Sequence, residues 1–347
     1  MTYSRAMKKF QKLRLFLQKK SYILYTTIAF AIVFFSLFFI HPKLKTNTQN
    51  SSMRYKGVLQ IWNIDSFEGG KGSRTSFLQN VAKTFEKKHQ GVFVLVITHT
   101  VNSAKEALQR GERPDLLSYG TSCDFVADIA RPIENISYKA ATMRGKCYAY
   151  PWAVGQYMLI SFENNFENIL PENTVLSSNK NALTVVAGVA MGLTGNFTLQ
   201  ESTTAYNNFV NKKFKYLLGT QRDVARLMSR NLSFYIQPIT NFSNLQQYIS
   251  ITTADKGRIA SCQSYIELLL SQEIQKKLSQ IGMMSLQHNI YTAEHPLYTV
   301  EQNKPHWTIS PFLDAEKLQQ LITLAMEALK GDKNLAQNLQ KFYILYL

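Results

Sequence analysis

Residues 77–98 read FLQNVAKTFEKKHQGVFVLVIT, and this stretch decides the fold class. Phe77, Val81 and Phe85 recur at helical spacing and mark one apolar face of an amphipathic helix. Gly91 then provides a helix end. The apolar run that follows has the composition of a strand buried on both faces. A buried strand directly after a short amphipathic helix predicts an α/β chain.

The flanking segments extend this alternation. Residues 57–64, GVLQIWNI, form a second apolar run before the helix, and residues 102–111 and 114–120 indicate a short helix and a further strand. Strand, helix, strand, helix and strand at these lengths are typical of parallel strands with helices on the faces of the sheet.

Later segments fit the same fold class. Residues 146–162 predict two strands around a bend at Pro151 and Trp152, and residues 215–220 predict a strand that leads into a helix from about Arg222. Two further amphipathic helices are predicted, at 265–281 and 315–330.

The amino-terminal end predicts a membrane anchor. Residues 21–40, SYILYTTIAFAIVFFSLFFI, contain no charge, and a helix of that length spans about 30 Å, the thickness of the hydrocarbon core. The preceding residues 1–20 contain seven basic side chains and no acidic one, which predicts a cytoplasmic tail. Residues 41–56 are polar and predict a linker to an extracytoplasmic domain at 57–347.

A cleaved signal peptide is the alternative to an anchor. The apolar stretch is longer than the usual signal-peptide core, and FFIHPKLKT has no small residues at a cleavage position. We therefore expect an uncleaved, single-pass anchor in the cell membrane. The contact with anionic lipid explains the basic tail better than nucleic acid does.

Composition and motifs exclude several function classes. Of the net charge of +16, the tail at residues 1–20 accounts for +7. The remaining positive charge is spread over helices and is not interleaved with aromatic residues, so we expect no nucleic-acid partner. The sequence lacks His-Glu-x-x-His, Gly-x-Ser-x-Gly and Cys-x-x-Cys, so we expect neither an enzyme nor a cofactor or metal site. Cys123 and Cys147 could pair, but three scattered cysteines are more typical of buried thiols.

The order of these segments from Val58 to about Leu286 resembles the bacterial extracellular solute-binding proteins of the maltose-binding type. The similar stretches are VLQIW, FLQNVAKTFEKKHQGVFVLV, ALQRGERPDLLSYG, RGKCYAYPWAVGQYMLISFEN, KYLLGTQRDVAR and the long helical segment up to GMMSL. The resemblance implies a class II periplasmic-binding-protein-like fold with two lobes. It places lobe 1 at about 57–155 plus 236–305, and lobe 2 at about 156–235 plus 306–347.

The sequence departs from the family pattern after Asn164. The family usually continues with a Pro-x-x-Trp-x-Glu-Leu helix and long helical insertions, whereas this chain reads ILPENTVLSSNKNALTVVAGVAMG and soon reaches Thr204. We therefore expect a shortened second lobe. An anchor in place of the usual lipid-modified cysteine is a second departure.

The resemblance implies a ligand site between the lobes, beyond the carboxyl ends of the strands. Sugars present apolar faces and a rim of hydroxyls, so a sugar site combines aromatic rings with planar polar groups. The candidate ligand-binding residues are Trp62, Asp65, Phe67, Glu68, Tyr119, Trp152, Gln156, Tyr157, Gln221, Arg222, Asp223 and Trp307. Core packing is the alternative for the aromatic residues, and a role at the helix amino terminus is the alternative for Arg222 and Asp223.

These observations predict non-catalytic capture of a sugar or oligosaccharide for an ABC importer, with closure of the lobes and docking on permease subunits. The alternative is a sensor or scaffold that uses the same fold to contact a membrane partner. The shortened second lobe and the anchor favour that alternative, and the short cytoplasmic tail argues against it.

Overall fold

The computed structural model describes residues 55–65, 71–134, 136–178 and 183–345. Residues 55–347 form one compact unit. None of the helices in these described ranges is both long and apolar enough to span a membrane. The predicted tail, span and nearly all of the linker, at residues 1–54, lie outside the described residues.

The strands are β1 (Gly57–Ile64), β2 (Val92–His99), β3 (Leu116–Tyr119), β4 (Thr142–Met143), β5 (Lys146–Cys147), β6 (Tyr150–Val154), β7 (Tyr157–Ser161), β8 (Thr174–Ser178), β9 (Thr198–Glu201), β10 (Tyr216–Thr220), β11 (Tyr235–Pro238), β12 (Gln246–Ile251), β13 (Trp307–Thr308) and β14 (Ile344–Leu345). The α-helices are α1 (Arg74–Lys88), α2 (Val101–Gln109), α3 (Val126–Ile129), α4 (Thr184–Met191), α5 (Ser202–Val210), α6 (Gln221–Ser229), α7 (Lys256–Leu270), α8 (Gln272–Gln275), α9 (Leu297–Gln302), α10 (Ala315–Leu329) and α11 (Lys333–Leu339).

The first lobe is built on a five-stranded sheet in the order β2-β1-β3-β12-β6. Strands β1, β2 and β3 are parallel, and β12 runs antiparallel to both β3 and β6. Helix α1 begins after Ser73, whose hydroxyl accepts a hydrogen bond from the Ser76 amide. The apolar face predicted for this helix is confirmed, because Phe77, Val81 and Phe85 are buried against the sheet.

The second lobe is built on a five-stranded sheet in the order β11-β7-β10-β8-β9. Strands β8, β9 and β10 are parallel, and β7 runs antiparallel to β10 and β11. Helices α4 and α10 contribute to the core on one face, and α5, α6 and α9 contribute to the core on the other. The stretch 162–173, where the sequence lacks the Pro-x-x-Trp-x-Glu-Leu pattern, contains no helix.

The chain passes between the lobes along three segments that contact one another. Segment 154–157 joins β6 to β7, segment 239–245 joins β11 to β12, and residues 283–286 leave the first lobe for the second. Val154 and Met284 exchange two backbone hydrogen bonds of 2.9 Å, and the Gly155 amide donates to the Leu245 carbonyl at 2.6 Å. The observed structure is thus a mixed α/β fold of two lobes, as the sequence predicts.

The lobe boundaries differ from those expected. The resemblance implies that residues 236–305 belong to the first lobe, but β11 pairs with β7 in the second sheet, and α9 buries Leu297 and Val300 in the second lobe. The physical reason is the strand pairing: β11 completes the edge of the second sheet before the chain crosses back.

Two local expectations also change. The helix expected at 265–281 starts earlier, at α7, and ends before Ser271, whose extended backbone separates α7 from α8. The bend expected at Pro151 and Trp152 lies instead between β6 and β7, at Gly155 and Gln156. Strand β6 accepts a proline because it is an edge strand, where a missing amide donor costs little.

Candidate functional site

The region between the lobes lies at the carboxyl ends of the parallel strands. Strand β3 ends at Tyr119 and β10 ends at Thr220, and the crossing segments 154–157 and 239–245 run past both sheets. We call these strand ends and crossing segments the interlobe region. Open α/β sheets bind ligands at this edge because the connecting loops there bring side chains from several strands together.

A buried polar network crosses the interlobe region. The Tyr157 hydroxyl donates to Asn244 Oδ1 at 2.7 Å, and Asn244 Nδ2 donates to Thr121 Oγ1 at 3.3 Å. On the other side, the Leu183 amide donates to the Tyr157 hydroxyl at 2.7 Å. The network therefore joins the first lobe at Thr121, a crossing segment at Asn244, and the second lobe at Leu183. Burial raises the pKa of Tyr157, so this phenol stays protonated and remains a donor.

The hydroxyl of Tyr157 is expected to be important for stability. In Tyr157→Phe, the Leu183 amide loses its acceptor and Asn244 Oδ1 loses a donor, while the ring packing is kept. Since each buried group without its partner costs about 1–3 kcal/mol, we expect a loss of about 2–4 kcal/mol in the free energy of unfolding. Urea unfolding followed by circular dichroism measures the loss. Tyr235→Phe, at an exposed position on β11, is the control, and equal midpoints for the two variants would contradict the prediction.

A cluster of aromatic side chains also packs in the interlobe region. Phe312 follows β13 and packs against Tyr119 and Tyr148, with ring centroids 6.3 and 6.2 Å apart. Next to it, the Cys123 amide donates to the Pro311 carbonyl at 2.9 Å. Sequence reasoning missed Phe312, because its partners are more than 150 residues away in the chain. The only signal was an aromatic residue in a Ser-Pro-Phe turn ahead of a helix.

Tyr119, a predicted site residue, is fully buried in this aromatic group. Ser250 donates its hydroxyl hydrogen to the Tyr148 carbonyl at 2.8 Å, so Tyr119 is the donor in its 2.9 Å hydrogen bond with Ser250. Burial raises the pKa of Tyr119 well above its ordinary value. The side chain is therefore neutral and already hydrogen-bonded.

Five predicted side chains have buried polar atoms with no hydrogen-bond partner in the described part of the chain: Trp62 Nε1, Trp152 Nε1, Gln156 Oε1, both amide atoms of Gln221, and Asp223 Oδ1. Gln156 uses its Nε2 to hold two carbonyls, Ile239 at 2.9 Å and Asn303 at 2.7 Å. Buried donors and acceptors of this kind are costly unless a partner arrives. Hydroxyl groups of a ligand offer both a donor and an acceptor to such atoms.

The two predicted aromatic plates Trp62 and Trp152 are packed in the first lobe. Trp62 packs against His99 with centroids 4.4 Å apart and ring planes tilted by 45°, and Trp152 stacks on Phe77 of α1 at 5.6 Å. Neither indole has any exposed surface. A bound sugar could reach these rings only after a rearrangement of the core, so in this structure both indoles act as core residues.

Arg222 and Asp223 lie at the start of α6, which agrees with the alternative prediction that they act at the amino terminus of a helix. Asp223 Oδ2 accepts the Thr220 amide at 3.0 Å, and Thr220 Oγ1 accepts the Arg222 amide at 3.3 Å, which together cap the helix. Arg226 lies 3.5 Å from Asp223. Burial nevertheless raises the pKa of Asp223 to about 6, because loss of solvent outweighs the capping bond and the nearby arginines.

The raised pKa of Asp223 predicts a pH-dependent stability. The folded state holds this proton more tightly than the unfolded chain, whose ordinary value is 3.8, so the contribution is complete below about pH 4 and is lost as pH rises through about 6. Asp223→Asn keeps an acceptor for the Thr220 amide but cannot ionise. We expect the free energy of unfolding of the variant, relative to the unmodified chain, to rise by about 3 kcal/mol between pH 4 and pH 7. Calorimetry across this range measures it, and parallel curves for the two proteins would refute it.

The remaining predicted ligand-binding residues do not take part in the buried polar network of the interlobe region. Asp65 follows β1 and is exposed, with its amide donating to the His99 carbonyl at 2.7 Å. Phe67 and Glu68 lie outside the described residues. Trp307 is 41% exposed and lines a separate cavity on the second lobe. The structure thus brings Tyr157 and Gln156 together with the crossing segments, and places Trp307 elsewhere.

No disulfide and no cluster of three or more metal-ligating side chains occurs among the described residues. All three cysteines are buried.

The fold is similar to that of solved sugar-binding proteins of the maltose-binding type. The GacH receptor of Streptomyces glaucescens is similar with a TM-score of 0.55 at 14% identity, covering 83% of this chain and 98% of that chain. The maltose-maltodextrin binding protein of Alicyclobacillus acidocaldarius is similar with a TM-score of 0.57 at 12% identity, covering 82% and 98%.

The galacto-N-biose-/lacto-N-biose I-binding protein of Bifidobacterium longum is similar with a TM-score of 0.57 at 10% identity, covering 82% of this chain and 95% of that chain. No protein-family model and no curated protein matches the sequence. At these identities the likeness establishes the fold.

Proposed function

We propose that this chain is a membrane-anchored, extracytoplasmic solute-binding protein that captures a sugar or oligosaccharide between its lobes for an ABC importer. The observation that carries the proposal is the interlobe region itself. Two five-stranded lobes meet at the carboxyl ends of their parallel strands, and three crossing segments join them. Rotation of one lobe about these segments opens and closes the site.

The polar atoms of the interlobe region suit a hydroxyl-rich, uncharged ligand. Gln221 and Gln156 offer amide atoms that lack partners within the described residues, and no ionised side chain is needed to bind a sugar ring. Proteins with this fold that bind acarbose, maltodextrin and lacto-N-biose support the choice of a saccharide.

Thermal unfolding of the full-length chain against a panel of mono- and oligosaccharides, amino acids and polyamines tests the capture. A ligand at a hundred times its Kd adds about 2.7 kcal/mol, which shifts Tm by roughly 4 °C in a chain of this size. We expect the shift with one sugar class and its loss in Gln221→Met, which keeps the side-chain volume. Gln319→Met, at an exposed position of α10, is the matched control. A shift of equal size in both variants would place the ligand elsewhere.

The anchor and its orientation are tested separately. The basic residues 1–20 and the uncharged stretch 21–40 support a cytoplasmic amino terminus. In intact cells, a membrane-impermeant maleimide is expected to label Ser51→Cys but not Ser4→Cys. Labelling of both positions only after lysis would overturn the proposed topology, and release of the labelled domain from the membrane would show that the anchor is cleaved.

A sensor or scaffold is a second candidate function, favoured by one observation. Phe312 and Pro311 already contact the first lobe at Tyr119 and Cys123, and so occupy part of the interlobe region. A chain that uses this contact permanently would hold its lobes together without a ligand. In that case no compound of the panel would shift Tm in any variant, and cross-linking in cells would recover a membrane partner that is not a permease.

A further inference from the structure

The second lobe contains a cavity of about 520 Å³ that borders the interlobe region at segment 239–245 but does not include the strand ends, and this volume is within the size range of small-molecule sites. Three separate parts of the chain form its walls: the last turn of α4, the crossing segment 239–245, and the carboxyl-terminal end from α11 to Tyr343. The residues that face it include Val189, Asn241, Trp307, Gln337, Gln340 and Tyr343.

The cavity lining is neutral. None of the described residues that line it carries a charged side chain, and burial raises the pKa of the Tyr343 phenol. An ion would find no countercharge here, so the lining favours a neutral ligand.

The lining combines aromatic rings with primary amides. Trp307 is 41% exposed, and Tyr343 is held in place by packing on Phe242 at 5.2 Å between ring centroids. Gln337 and Gln340 are exposed, and the side-chain amide of each can donate to and accept from a ligand. An exposed indole beside exposed amides matches a sugar ring, which has an apolar face for stacking and hydroxyls around its rim.

We propose that this cavity is a second saccharide-binding site, in which a neutral sugar ring stacks on Trp307 and hydrogen-bonds Gln340 and Asn241. Sequence reasoning had assigned Trp307 to the site between the lobes. The structure places it in a cavity whose other walls come from the second lobe and from the crossing segment 239–245. The second site does not depend on capture between the lobes.

The cavity is also in contact with a crossing segment. Asn241 lies in segment 239–245 and ties it to α4 through a 3.0 Å hydrogen bond to the Ala190 carbonyl. Trp307 is held on the same segment, because the Ser243 amide donates to its carbonyl at 2.9 Å and the His306 amide donates to Thr240 at 2.8 Å. A sugar in the cavity would therefore touch a segment that moves when the lobes open.

The tryptophan content allows a site-specific test. The chain has three tryptophans, of which Trp62 and Trp152 have no exposed surface, so only Trp307 can meet a solute. The full-length chain labelled with 5-fluorotryptophan should give three ¹⁹F resonances, and Trp307→Phe assigns one of them. Titration with maltotriose and with lacto-N-biose is expected to shift the Trp307 resonance in a saturable way and to leave the other two in place.

Two variants complete the test. Gln340→Ala is expected to weaken the saccharide Kd read from the Trp307 resonance by at least about threefold, and Gln319→Ala, exposed but outside the cavity, should leave it unchanged. The inference is overturned if neither sugar moves the Trp307 resonance at millimolar concentration, or if Gln340→Ala and Gln319→Ala behave alike.

This inference and the proposed function can fail separately. A thermal shift that Gln221→Met abolishes, together with an immobile Trp307 resonance, would keep capture between the lobes and remove the second site. A Trp307 shift that Gln221→Met does not affect would keep the second site, whatever binds between the lobes.

Discussion

Trp152→Ala is expected to lower the free energy of unfolding by about 3–5 kcal/mol, the usual cost of emptying a buried indole site. The ring is fully buried in the core of the first lobe, stacked at 5.6 Å on Phe77. Gln275 Nε2 also donates to the Trp152 carbonyl at 3.0 Å, which holds the backbone at this position. Differential scanning calorimetry should show a fall in Tm of several degrees.

Trp307→Ala is the matched control for this prediction. The same atoms are removed from a side chain that is 41% exposed, so we expect a change within about 1 kcal/mol. If Trp152→Ala were instead as mild as Trp307→Ala, the indole of Trp152 would not be part of the core. That result would instead support the prediction that the Trp152 indole stacks on a ligand.

Gly155→Ala is expected to have the second large effect. A Cβ atom at this position would lie 2.7 Å from the Leu245 Cβ and 3.0 Å from its carbonyl oxygen, which is closer than real Cβ contacts allow. Gly155 also donates to that carbonyl and accepts from the Ser243 hydroxyl at 2.8 Å, so two crossing segments are held tightly together. We expect a loss of about 1–3 kcal/mol from overpacking, and a weaker response to any ligand that closes the lobes.

Gly188→Ala provides the control for the added methyl group. Gly188 lies within α4, and its Cβ would make only ordinary contacts of 3.6 Å. This variant should be slightly more stable than the unmodified chain, by about 0.5–1 kcal/mol, because alanine is the better helix former. If the urea midpoints of Gly155→Ala and Gly188→Ala both rose, the prediction would be wrong. The two crossing segments would then tolerate a larger distance between them at Gly155.

Much of the fold could be predicted from local patterns. The apolar face of α1 at Phe77, Val81 and Phe85 repeats within a single helix, and β2 is a continuous apolar run. Such features depend on neighbours three or four positions apart, or on successive residues, so the sequence contains them directly. The start of α6 near Arg222 was also predicted from the sequence, and the structure adds that Thr220 and Asp223 form a capping box there.

The candidate site was less predictable. The segment types around Gln156, Tyr157 and Gln221 were expected, but the network that joins Tyr157 to Asn244 and Thr121 spans separations of 87 and 123 residues. No local pattern indicates such a pairing. The same is true of Phe312, which meets Tyr119 only because the carboxyl-terminal segment returns to the first lobe.

The sequence by itself determined the α/β class and the amphipathic faces of the long helices. It also determined the basic segment 1–20 and the apolar segment 21–40, which together predict an anchor. Each follows from composition or from a short repeat along the chain. Only the tertiary structure decided that Trp62 and Trp152 are buried, that β11 belongs to the second lobe, and that Trp307 lines its own cavity. An aromatic residue at a strand end has the same local sequence whether it faces a ligand or a helix. The difference lies in which distant segment packs against it, and that depends on the arrangement of the whole domain.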